Sequence, residues 1–176
     1  MRGTLAEQVK ATIYQYQLIC KITIHKRILW VYLILAVAFC TWELIQYRLD
    51  GAVAMGLGLL IIQPIHFIII RLTLRRVDVS DYRRWGWRFT PPWIGYTPIA
   101  YIELALFRKV HRHLLWLGLC AIGVWYPWAS KPLMIAMVSW HVWLLLPYII
   151  LLYRLRPMRP EGVIKLQEDN LSYYHR

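Results

Sequence analysis

Apolar residues in this chain gather in four long blocks, at 28–47, 51–70, 114–128 and 133–153, rather than at the spacing of an amphipathic surface helix. Glu43 is the only charge in the first block, Gln63 and His66 are the polar members of the second, and His141 lies near the middle of the fourth. A helix rises ~1.5 Å per residue, so a block of about 20 residues crosses the ~30 Å hydrocarbon core of a bilayer. The third block is short for a span, but only residues 129–132 separate it from the fourth, and only 48–50 separate the first from the second. Both intervals suit tight helical hairpins. The pattern predicts an all-α membrane protein with four transmembrane helices in two hairpins, at 28–70 and 114–153.

The remaining segments read as surface. Residues 1–27 form a cytoplasmic lead in which Leu5, Val9, Ile13 and Tyr16 recur at helical spacing, the mark of an amphipathic interfacial helix. The loop at 71–113 interleaves Arg83, Arg84 and Arg88 with Trp85, Trp87 and Trp93. Indole rings favour the headgroup zone and guanidinium groups meet phosphates bidentately, so these six residues form a candidate surface for lipid or a partner. A second interfacial helix is expected over 99–113, and 154–176 reads as a flexible cytoplasmic tail.

Composition supports a bilayer as solvent: of 176 residues, 59% are hydrophobic and 15% aromatic, more than water-soluble domains carry. The net charge of +12 supplies the orientation, because 19 of the 21 Lys and Arg residues fall in the lead, the loop and the tail, leaving Arg48 and Lys131 at the hairpin tips. Cations collect on the cytoplasmic side, which places both termini inside a bacterial-type plasma membrane and makes anionic headgroups the expected contact. This accounts for the basic excess without nucleic acid. The first 27 residues are polar and lack the apolar core of a cleaved secretory signal.

The two halves resemble each other. His25, Lys26, Arg27, Ile28, Leu29 and Trp30 align with His111, Arg112, His113, Leu114, Leu115 and Trp116, and Pro64 with Arg71 repeats as Pro147 with Arg154. A tandem duplication of one hairpin would produce this, related by an axis along the membrane normal. Small residues in the second block, Ala52 with Gly56 and Ala54 with Gly58, sit four apart and let another helix approach closely, with Gly118 a weaker counterpart in the third.

Polar groups inside spans cost roughly 2.5–3.5 kcal/mol when charged and central, so His141, Gln63, His66 and Glu43 are the candidate intramembrane site. Glu43 is placed to reach Lys131 or Arg48 by snorkelling. Three cysteines at 20, 40 and 120 supply neither a disulfide framework nor metal-ligand spacing, and no cofactor-binding or nucleophile motif is present. These features point to a non-catalytic accessory or scaffold subunit that docks lipid or partner proteins at the cytoplasmic face. A small homo-oligomeric solute or ion transporter is the alternative.

Overall fold

The computed structural model describes residues 17–76 and 84–175. Three helices and six strands follow in the order β1 (Gln17–Thr23), α1 (Lys26–Arg75), β2 (Trp85–Thr90), β3 (Trp93–Pro98), β4 (Ile102–Glu103), α2 (Leu104–Val124), α3 (Lys131–Arg154), β5 (Val163–Leu166) and β6 (Asn170–His175). The architecture is mixed α/β, and the all-α expectation is wrong. Nor are there four candidate spans among the described residues: two helices, α1 and α3, are long and apolar enough to cross a membrane.

The 50-residue α1 is not a straight rod. Arg48 leaves helical geometry at φ 53° and ψ −127°, and the chain reverses there. A Cβ at Gly51 would collide with the carbonyl of Glu43, so the turn requires glycine for its two arms to diverge this closely. Contacts with α3 confirm the fold-back: the Trp143 indole donates to the Tyr32 carbonyl at 2.9 Å and the Trp140 indole to the Met55 carbonyl at 2.9 Å. Along a straight helix Tyr32 and Met55 would lie about 34 Å apart, far beyond two indoles three residues apart.

Small residues set the helix packing. Ala54 and Gly58 are buried against α3, where a Cβ on Gly58 would stand 3.0 Å from that of Ala136. Ala52 is exposed, and nothing lies within 4 Å of a Cβ built on Gly56. Of the two small-residue pairs, one serves the bundle and the other faces outward.

The described strands flank the starts of α1 and α2 and the ends of α1 and α3. β1 feeds α1, β4 feeds α2, β2 and β3 follow α1, and β5 and β6 follow α3. A four-stranded antiparallel sheet has the order β1-β6-β5-β4, and β2 and β3 form a separate hairpin in which Trp87 faces Tyr96 and Arg88 faces Gly95. Trp93 ties the hairpin to the sheet by donating to the carbonyls of Gln167 at 2.8 Å and Glu168 at 3.1 Å. Arg108 of α2 donates to the carbonyls of Leu155 at 2.7 Å and Met158 at 3.1 Å, satisfying acceptors left open where α3 ends.

The segments read from sequence as interfacial helix, loop and flexible tail thus build this β cap. Period-two alternation explains the correction: Trp85, Trp87 and Phe89 take alternate positions on β2, and β-branched Ile19, Ile22 and Thr23 in β1 and Val163 and Ile164 in β5 favour extended chain. The third apolar block, in turn, is the later part of a helix that starts at Leu104 and carries Arg108, Lys109 and Arg112. The lead's helical stripe at Leu5, Val9, Ile13 and Tyr16 lies outside the described residues. The halves also differ locally where their sequences align, since His25 caps the start of α1 while His111 is buried within α2.

Candidate functional site

Two of the four intramembrane candidates meet. His66 on the second arm of α1 and His141 on α3 are both buried, with Nε2 of His66 2.8 Å from Nδ1 of His141 and the rings at 74° to each other. Nε2 of His141 lies 3.2 Å from the carbonyl oxygen of Leu115 on α2. A carbonyl only accepts, so His141 donates from Nε2, and its Nδ1 is the acceptor for the His66 N–H. One imidazole chain therefore joins all three helices.

Gly118 makes room for it. A Cβ there would collide with Cε1 of His141, so the ring occupies the space a side chain would fill. Nearby, His111 donates from Nδ1 to the Phe107 carbonyl at 2.9 Å and lies 4.5 Å from the Tyr148 ring, centroid to centroid. Among the described residues no three His, Cys, Asp or Glu side chains converge as a metal ion would require.

Gln63 and Glu43 stand apart from this contact. The Gln63 carbonyl oxygen is buried, without a hydrogen-bond partner among the described residues, beside Gly95, whose φ of +113° belongs to the left-handed region that favours glycine. Glu43 is 0% exposed and neither carboxylate oxygen has a hydrogen-bond partner among the described residues, so the expected pairing with Arg48 or Lys131 is not made.

The cationic and aromatic candidates divide between core and surface. Trp85 and Trp93 are buried, the latter at 0% exposure, and belong to the core that joins cap to helices. Trp87, at 43%, faces outward with Phe89, at 73%. Arg84 is exposed and donates to the Tyr101 carbonyl at 3.4 Å, Arg88 is half-buried and donates to the Leu166 carbonyl at 3.4 Å, and Arg83 lies outside the described residues.

An aromatic ladder that the sequence reading missed runs along this surface. Phe89 stacks on Trp87 at 6.0 Å, Trp87 on Phe67 at 5.6 Å, and the Arg71 guanidinium carbon stands 5.7 Å from the centre of Phe67. The four-residue spacing of Phe67 and Arg71 on a helix was the available signal. The ladder joins the end of α1 to the β2–β3 hairpin, presenting rings and a cation at the boundary between the apolar helices and the cap. No family model matches this sequence, and comparison with curated proteins and with solved structures likewise finds no match.

Proposed function

We propose that the chain is a non-catalytic accessory or scaffold subunit of a bacterial-type plasma membrane. Its apolar helices lie in lipid, and its β cap docks anionic headgroups or partner proteins at the cytoplasmic face. The observation that carries this reading is the Phe89–Trp87–Phe67–Arg71 ladder at the pole where the cations gather. Aromatic rings with adjacent cations suit the headgroup zone, and each Lys or Arg near an anionic surface is worth ~1 kcal/mol.

The experiment reconstitutes the protein in nanodiscs of phosphatidylglycerol or phosphatidylcholine and follows amide exchange over β2 and β3. Exchange about tenfold slower in phosphatidylglycerol is expected, with the difference lost when Arg84→Gln and Arg88→Gln are combined. Release of the chain from membranes by alkaline carbonate would end the membrane reading. Equal exchange in the two lipids would end the docking reading alone.

The transporter reading has one observation in its favour, the buried imidazole contact between His66 and His141. Intramembrane histidines of this kind serve proton and ion pathways. Flux into liposomes that falls when His141→Ala replaces the parent would support transport, whereas absence of flux under every gradient would reject it.

A further inference from the structure

A groove runs along the outside of the helices between the first arm of α1 and the later half of α3. Leu29, Tyr32 and Leu35 form one wall, and Leu146, Ile150 and Leu151 form the other. It is open on its outer side and holds about 130 Å³ of space. Val31 and Ile150, both exposed, continue the groove onto the outer apolar surface of the helices.

Among the described residues Arg154 is the only charged one along the groove, and it lines the groove's cap end with Ile22, Ile24 and Pro92. A second depression adjoins that end, sharing Thr23, Ile24, Leu29 and Pro92 with the groove and adding His25, Lys26 and Asp169. The outline is amphipathic: walls of hydrocarbon leading to a mouth where Arg154 and Lys26 outnumber one carboxylate.

We propose that this groove holds one acyl chain of an anionic phospholipid, with the lipid phosphate seated between Arg154 and Lys26. The inference rests on the membrane placement given above and adds a defined lipid site to it. Three features select this occupant. The walls offer a ligand side-chain contacts that are almost wholly apolar, which suits an alkyl chain and leaves the amides of a peptide without partners. The cations stand at the end nearest the cap, where a headgroup would lie if the helices are in the bilayer. A guanidinium matches phosphate geometry, and a zwitterionic headgroup would bring its own cation against Arg154 and Lys26.

The test purifies the full chain from membranes in mild detergent, adds equal phosphatidylglycerol and phosphatidylcholine, and counts bound lipid by native mass spectrometry. The parent is expected to retain phosphatidylglycerol about tenfold over phosphatidylcholine. Combining Arg154→Gln with Lys26→Gln should bring that preference within about twofold. Ile150→Trp, a change at an exposed wall position, should fill the groove and lower retention of both lipids about tenfold while the protein still resists carbonate extraction.

Three results would overturn the proposal: no preference in the parent, retention by Ile150→Trp equal to the parent's, or a dimer that Ile150→Trp abolishes without any dependence on lipid, which would seat a second copy in the groove. Carbonate release of the parent, measured before lipid is added, would overturn the membrane placement itself and the lipid site with it.

Discussion

The outward faces of the helices and the interior of the cap show opposite arrangements of the same residue types. Along α1, Ile45, Leu49 and Leu60 are at least 70% exposed, with Trp30, Val31, Ile34 and Val37 also facing out. In the cap, Ile102, Ile164, Leu171 and Tyr173 are buried and no residue of β5 or β6 is exposed, while the edge strand β1 exposes Leu18 and Ile19 beside Gln17 and Lys21. Apolar patches of the helical kind are rarely left open to water. On the membrane placement proposed above, the contrast is that of a chain packed for two solvents, with the changeover at the level of the Phe89–Trp87–Phe67 rings and Arg71.

Substitutions can test whether core and surface divide there. The largest effect is expected for Trp93→Ala, which empties a fully buried site and removes the donor to Gln167 and Glu168: a loss of about 3–5 kcal/mol, read as the unfolding midpoint of the detergent-solubilised protein. A loss below ~1 kcal/mol would mean that the cap does not pack on the helices through this indole.

An intermediate effect is expected at the histidines. His66→Phe and His141→Phe should each destabilise by about 1–3 kcal/mol, and the double variant by less than the sum of the two, with a coupling of about 0.6–1.7 kcal/mol. Strict additivity in that cycle would show that the rings do not bond. The smallest effect belongs to Trp87→Ala, expected within about 1 kcal/mol in detergent because the ring lies outside the buried core. A drop as large as that of Trp93→Ala would erase the distinction drawn between the two indoles.

What could be read from sequence follows from how local each signal is. The apolar blocks are legible because one residue type repeats over about 20 positions, and the reversal near Arg48 falls in the short polar interval between two of them. The cap is much harder to read. Its strands are two to seven residues long and carry Trp and Tyr residues, a composition that also fits a membrane-interface loop. Only pairing tells the two apart, and pairing partners such as Thr23 and Asn170 lie far apart in sequence.

The site shows the same limit. His66 and His141 each stood out as polar residues in apolar surroundings, but 75 positions separate them and nothing local announces their contact. Gly118 was legible as a small residue in a helix, although its service to an imidazole was not. Trp93 and Trp87 look alike in sequence, both aromatic neighbours of arginine-rich chain, and it is the fold of the hairpin that sends one inward and leaves the other outside.

One consequence of the sheet order concerns how the molecule is made. β1 pairs with β6 from Gln17 opposite His175 to Thr23 opposite Asn170, so the earliest strand described waits for the latest. During synthesis all three helices emerge before that zipper can close, and its loop-closure entropy is that of almost the whole described chain. The cap is therefore the last part to set, a latch drawn shut over helices already in place. Until β6 arrives, β1 and β5 each present an open edge on which an unfinished copy could pair with its neighbour.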